Sequence, residues 1–511
     1  MRFLARSLFS LLALAMLLPL AAMLAQTPLT QPYLWLFARM GLLAVPVLLS
    51  LTQLAVALAL ALGLGVLLAW LANNYDFAGR RFLIWAQLAP LLLPTSLLAS
   101  VFESLLGASG LPPGVRLGVY SGLSNYPLVY LLMRACLSNH NAEYWYASRS
   151  MGLGAIASLW RVGVQLNRPV LVAACLLVCM EVLSDLATPS LLGINSLAML
   201  LHQEAGTGLV SQLALALLAA LLLLVWVERL LRGRKHYVQA VAGYKPIEPT
   251  YFSRSWQELL TLGLFALPVV FGALTPLMLL LDSATDQASP RANELAAGAA
   301  LSIGLACSAA LLATLVACLL AYGRRFYPGP ALRLLVRLAS LGLVIPGLYL
   351  ALALSLPVEW LDAWFAPLWQ GFGLPEQLIG KSLGLTLYVL VVRFVAIALL
   401  VLLAALSGLD HELALAARSL GAGAARSFSG IELRLIAPFV GVALALVAML
   451  ALKDSGVALV LLGDAHLSLT TTIHASLMQG AIPAHAGLLL ALIIALIIAV
   501  MLWLARMGLR R

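Results

Sequence analysis

Long apolar runs alternate with short polar breaks along the whole chain. Runs of eighteen or more mostly apolar residues fall near 8–25, 46–71, 82–106, 117–137, 169–192, 209–230, 258–281, 297–322, 332–356, 382–406, 438–462 and 486–505. Each is long enough to cross a bilayer as a helix. Lipid admits only helices or closed barrels, and these runs lack the alternation of a barrel strand. The pattern predicts an all-α polytopic membrane protein of about twelve transmembrane helices.

Two polar inserts interrupt it with matched spacing. Residues 141–169 (NAEYWYASRSMGLGAIASLWRVGVQLNRP) align without a gap to 410–438 (DHELALAARSLGAGAARSFSGIELRLIAP), and ten of the twenty-nine positions are identical. Each copy reads as a short helix, a glycine corner, a second helix and a proline restart. Asn141 and Asp410 suit helix N-caps, and Glu143 and Glu412 place negative charge in the first turn. Ala147 and Met151, or Ala416 and Leu420, follow the glutamate at four-residue spacing on one face. Gly152 and Gly421 stand where a left-handed cap is wanted, and Pro169 and Pro438 suit the first turn of the next helix.

The duplication extends beyond the inserts. Ser50–Trp70 matches Ser302–Tyr322 in length and in its closing Leu-Leu-Ala-aromatic, and Pro94 matches Pro346 at the same offset. A basic, proline-containing stretch at 231–257 reads as a linker. The expected organisation is therefore a first transmembrane domain over 1–230 (core 44–230), the linker, and a second domain over 258–511 (core 297–505). Six spans per half give the halves the same orientation, related by a two-fold axis along the membrane normal.

Composition sharpens the picture. The chain is 63% hydrophobic and 10% charged, with a net charge of +10. That excess does not point to nucleic acid. With the N-terminus inside, 24 of the 30 Lys and Arg fall in cytoplasmic segments, at Arg80-Arg81, 229–235, Arg324-Arg325, Arg333, Arg337 and 506–511. This positive-inside asymmetry places both termini and both polar inserts in the cytoplasm. The first run, after Arg2 and Arg6, also has the form of a secretory signal, and is read as a retained anchor. The far-side loops are too short to form a substrate-binding domain. The five cysteines lie in or beside apolar runs and read as small packing residues, not metal ligands.

Ala416-Ala417-Arg418-Ser419-Leu420-Gly421-Ala422 resembles the "EAA" loop of permease subunits of ATP-binding-cassette (ABC) importers, and Ala147-Ser148-Arg149-Ser150-Met151-Gly152 is a weaker copy. The resemblance covers about 44–505 and is closest to the fused double permeases of the iron(III) and thiamine branch. It implies a type I importer permease fold. It also implies that Glu143, Ala147, Arg149, Met151, Gly152, Glu412, Ala416, Ala417, Arg418, Leu420 and Gly421 dock on a cytoplasmic ABC ATPase homodimer, with a periplasmic binding protein delivering the solute. The chain itself is then no enzyme and binds no cofactor, ATP being used by the partner. Tyr146 and Leu415 replace the family's opening acidic residue, and Gln165 and Arg434 its penultimate proline.

Charges inside a membrane call for a function by default. Glu181 and Asp185, spaced i,i+4 on the helix from Pro169, are expected on one face, and Asp454 beside Lys453 occupies the position of Asp185. Two readings stand: these four residues line the translocation cavity, or they form a structural ion-pair network. Arg393 is read as the partner of a carboxylate. Interior carboxylates favour a cation or amine, such as ferric iron, thiamine or a polyamine, over an oxyanion. Gly380-Lys381-Ser382 imitates a phosphate loop, but the earlier glycine that such a loop needs is Pro375. His466, His474 and His485 share an outer segment without tight ligand spacing. The rival function is a major-facilitator secondary transporter, for which Asp76–Arg81 resembles the loop signature. The corresponding Gly323-Arg324-Arg325 lacks the acid.

Overall fold

The computed structural model describes residues 2–26, 38, 40–107, 109–138, 142–204, 208–232, 248–252, 254–286, 292–326, 329–339, 342, 345–372, 379–380, 382–407, 409, 419, 421, 423–462 and 468–509. They are helical almost throughout. In chain order the helices are α1 (Arg2–Gln26), α2 (Ala44–Asn74), α3 (Arg80–Ala86), α4 (Thr95–Gly107), α5 (Pro113–Ser138), α6 (Ala142–Ser150), α7 (Ala155–Ser158), α8 (Arg168–Ser184), α9 (Ala187–Leu191), α10 (Leu197–Gln203) and α11 (Gly208–Arg232). Then come α12 (Ser255–Val269), α13 (Thr275–Asp286), α14 (Ala292–Phe326), α15 (Pro330–Ala339), α16 (Gly347–Gly371), α17 (Leu383–Ser407), α18 (Ala424–Ser427), α19 (Leu433–Lys453), α20 (Ser455–Leu461), α21 (Leu469–Met478) and α22 (Ala484–Leu509). Two-residue strands β1 (Tyr75–Asp76) and β2 (Thr250–Tyr251) pair in parallel.

Among the described residues eight helices are long and apolar enough to cross a membrane, or nine if one bent pair counts as a span. Twelve were expected, and some of the differences have local causes. The run at 82–106 is the bent pair: Arg80–Leu92 and Thr95–Glu103 meet at 87°. Pro90 and Pro94 lie in or beside that bend, where proline removes amide donors and restricts the residue before it. The run at 117–137 is helical as α5 and carries the polar residues Ser121, Ser124, Asn125 and Arg134. The runs at 8–25 and 209–230 lie on α1 and α11, and the count of spans covers the described residues alone. The run at 332–356 is not one helix. It divides into α15 and α16 ahead of Gly347, with Pro346 extended at the break, and α16 continues to Gly371 through what was expected to be loop.

The chain forms two compact units interleaved in sequence. One gathers Met1–Met40, Ala198–Ala216 and Ala288–Arg511, the other Gly41–Leu197 and Leu217–Gln287. In these units α1 belongs with the C-terminal core and α12–α13 with the N-terminal one.

In the N-terminal unit α2 runs along α5 at very short range. Gly114, Gly118 and Gly122 of α5 form a four-residue-spaced stripe against α2. A Cβ on Gly118 would stand 2.6 Å from Val56 Cβ, and one on Gly122 2.8 Å from Leu60 Cβ. Such a stripe lets two backbones approach in a membrane, where van der Waals packing replaces the hydrophobic drive. Gly118→Val is therefore expected to destabilise the unit by at least about 1–3 kcal/mol through overpacking. Gly63→Ala, whose Cβ meets nothing within 4 Å, serves as control. The check is apparent melting temperature in detergent, and equal melting of the two variants would refute the stripe. The bent pair is held by Gln87, which accepts from the Tyr126 hydroxyl at 3.0 Å and donates to the Phe265 carbonyl at 2.9 Å.

In the C-terminal unit α14, α17, α19 and α22 pack together, and α1 lies against α14, α15 and α16. Phe9 meets Tyr322 edge-on at 5.8 Å, and Tyr388 donates to the Ala15 carbonyl at 2.6 Å.

Both units repeat the same local devices. The Leu197 amide donates to Ser50 Oγ at 2.9 Å, and the Leu469 amide to Ser302 Oγ at 2.8 Å. Asp185 and Asp454 have nearly the same backbone angles (φ −74°, ψ 101° and φ −71°, ψ 100°) at the ends of α8 and α19.

Candidate functional site

From Ala142 onward the first polar insert folds as its spacing predicts, the expected cap Asn141 lying outside the described residues. Glu143 lies in the first turn of α6, and Ala147 and Arg149 follow on the same helix. The helix ends on Gly152 at φ +80°. Gly152 N donates to the Arg149 carbonyl at 3.0 Å and Leu153 N to the Ser148 carbonyl at 3.2 Å, the paired bonds of a glycine-capped helix end. Arg149 Nη1 closes on the Leu153 carbonyl at 3.1 Å. Ser148 Oγ donates to Ser158 Oγ at 2.9 Å and ties α6 to α7 across the corner. A π-helical segment, Leu159–Val164, then leads to α8, which has Pro169 in its first turn.

An apolar ridge stands out from this corner. Met151 is 73% exposed and Ile156 69%, with Trp160 and Tyr146 also exposed. These apolar side chains stand in an otherwise polar insert.

In the second insert Gly421 takes φ +84°, and α18 with the π-helical Phe428–Glu432 follows at the same spacing. Glu412, Ala416, Ala417, Arg418 and Leu420, with the cap Asp410, lie outside the described residues. Pro438 departs from its expected place. It sits inside α19 and not in the first turn, because the helix runs unbroken from Leu433. In the first insert Asn167 is non-helical (φ −101°, ψ 13°) and resets the start.

Aromatic rings brace the first insert. Trp70, near the end of α2, meets Trp145 of α6 at 6.0 Å and Tyr75 at 5.5 Å, and Tyr75 stacks on Phe252 at 4.5 Å. Burial pushes the Tyr75 hydroxyl above its ordinary range, and the charge of Arg149 partly opposes this.

The interior charges are arranged differently from expectation. Glu181 lies on α8, but that helix ends at Ser184, so Asp185 does not share its helical face. Asp185 instead restarts the chain as α9: its carboxylate accepts from Thr188 N at 3.0 Å and from Thr188 Oγ1 at 2.5 Å. Asp454 likewise caps α20, accepting from Val457 N at 3.2 Å. It also forms an ion pair with Arg393 Nη1, both side chains being almost fully buried. Asp454, Ser302, Thr386, Ser468 and Thr470 are among the residues around a small cleft. Lys453 closes α19 and is buried. Glu181 and Asp185 belong to the N-terminal unit, and Lys453 and Asp454 to the C-terminal one. Capping by Asp185 was readable in the Asp-x-x-Thr spacing, which the i,i+4 pairing with Glu181 obscured.

The imitation phosphate loop is already occupied by a side chain: Asp362 accepts from the Ile379 amide at 3.0 Å and the Gly380 amide at 2.7 Å. Among the described residues no group of three or more His, Cys, Asp or Glu side chains gathers to hold a metal.

Residues 309–511 match the family described as binding-protein-dependent transport system inner membrane component. No curated protein and no solved structure matches the chain. The matched stretch contains Gly421, Asp454 and the helices from α17 onward. With the membrane-spanning helices, the match supports a multi-pass permease component of an ABC importer, whose class works with an ABC ATPase and a binding protein.

Proposed function

We propose that this one chain supplies both transmembrane domains of an importer of the iron(III) and thiamine type, as two parallel halves of six spans. An ABC ATPase homodimer docks on the inserts 141–169 and 410–438, and a periplasmic binding protein delivers the solute. Both termini lie in the cytoplasm of the inner membrane. The observation that carries this reading is the repeated corner. Gly152 and Gly421 share one left-handed conformation, each 33 residues before an aspartate that caps a helix restart. Two such corners suit a partner that is itself two-fold.

Cysteine placed at Met151 and at Leu420 tests the docking. In membranes holding the full importer, a short thiol crosslinker is expected to join each position to the ATPase. Capture at neither would overturn the reading. The match over 309–511 does not favour a major-facilitator transporter.

The solute proposed is a cation or amine, on the carboxylate of Glu181 in α8. Glu181→Gln combined with Asp185→Asn is expected to lower uptake about tenfold or more, with ATPase attachment unchanged. Unaltered uptake in the double variant would remove these residues from the pathway.

A further inference from the structure

Behind the second insert lies an ion pair whose members are separated by more than a hundred residues. Arg325 occupies the last turn of α14, and its Nε donates to Glu432 Oε1 at 2.9 Å. Its Nη1 reaches the Leu406 carbonyl, one residue from the end of α17, at 3.4 Å. Glu432 is 1% exposed and closes the π-helical segment between the Gly421 corner and α19. One guanidinium therefore joins the ends of two core helices to the segment that leaves the insert. Among the described residues Arg325 Nη2 and Glu432 Oε2 are buried without hydrogen-bond partners. A partly buried pair left partly unsatisfied is a poor device for stability alone.

The N-terminal unit holds the matching place differently. Asn73, at the position of Arg325, donates to the Leu137 carbonyl at 3.3 Å, the counterpart of Leu406. Opposite it, where Glu432 stands in the second insert, the first has Gly163. The bond to the helix end is kept and the ion pair is missing. An open π-helical turn, of the kind found at functional sites, follows the corner in both.

We propose that Arg325–Glu432 is the joint that passes movement of the second insert to α14 and α17, so that the two halves are driven unequally. The second is coupled through a charged joint, and the first through a bond to one helix end. This rests on the importer reading above, in which the inserts receive the push of the ATPase. Arg325 and Glu432 act as positioning residues and need not touch the solute.

The experiment uses the full importer with its ATPase and binding protein in proteoliposomes, and reads solute moved per ATP hydrolysed. Glu432→Gln is expected to lower that ratio about tenfold while hydrolysis and attachment of the ATPase persist. The charge-swapped Arg325→Glu/Glu432→Arg variant is expected to recover most of it. A merely structural role would lower hydrolysis, transport and yield together and leave the ratio unchanged. Should Glu432→Gln fail to assemble, Arg325→Lys, which keeps the charge but not the fork to Leu406, is read in the same assay. An unchanged ratio in the assembled variant, or a swap no better than Glu432→Gln, overturns the joint while the importer reading stands. Transport by the unaltered chain without any ATPase would overturn both.

Discussion

Valine at Gly152 and Gly421 is expected to detach the ATPase from this chain. The reason is conformational rather than steric. A Cβ at either position meets nothing within 4 Å, but both residues hold a left-handed φ of +80° or more. An L-residue in that region costs roughly 1–2 kcal/mol, and a β-branched one more. To escape the strain the chain gives up the bonds from Gly152 N and Leu153 N that close α6. The ridge of Met151 and Ile156 then turns away from its partner. Each single substitution is expected to weaken attachment about tenfold, and the two together about a hundredfold if the sites act independently. Alanine should fall between glycine and valine at each site. Copurification of the tagged chain with its ATPase over a concentration series is the measurement, and undiminished attachment of the double variant would mean that the corners do not set the docking surface.

The second large effect is expected at Arg393 and Asp454. Arg393 is 1% exposed, and Gly347 packs so closely against its guanidinium that no Cβ could fit there. Asp454 completes the pair and also caps α20 through Val457 N. Removing one member breaks a buried ion pair, so Asp454→Asn or Arg393→Met should cost about 3–5 kcal/mol. For a unit of this size that corresponds to a fall in apparent melting temperature of about 10 °C. Replacing both by apolar residues, as in Arg393→Met/Asp454→Leu, should recover much of the loss. Asp185→Ala, which removes the bonds to Thr188 that cap α9, should cost about 1 kcal/mol. Thermal unfolding of the detergent-solubilised chain checks the order. Equal effects of Asp454→Asn and Asp185→Ala would show that losing the buried pair costs no more than losing a cap.

Much of this was readable from the chain alone, because helix periodicity and glycine corners are local. The helical class, the short helix 142–150, its stop at Gly152 and the restart at Pro169 all depend on residues within a few turns of each other. The pairing of Arg393 with a carboxylate also followed from the cost of an isolated buried charge. Hydropathy does not report where a long apolar run breaks. The bend at Pro90–Pro94, the division at Pro346 and the helix ends before Asp185 and Asp454 depend on caps and prolines inside runs that look continuous. The glycine stripe at 114, 118 and 122 stood in plain view as a four-residue repeat, but its meaning depends on α2 lying opposite. Placement of α1 with the C-terminal core and the Arg325–Glu432 pair are long-range facts that no window of sequence contains.

The central claim is that this chain is a conduit moved by an external ATPase. Purified chain in proteoliposomes, with its binding protein and loaded solute outside, tests it most directly when the ATPase and internal ATP are supplied or withheld. Uptake is expected only when both are present, and imposed proton or sodium gradients should not replace them. Uptake at an undiminished rate with the ATPase withheld would contradict the claim.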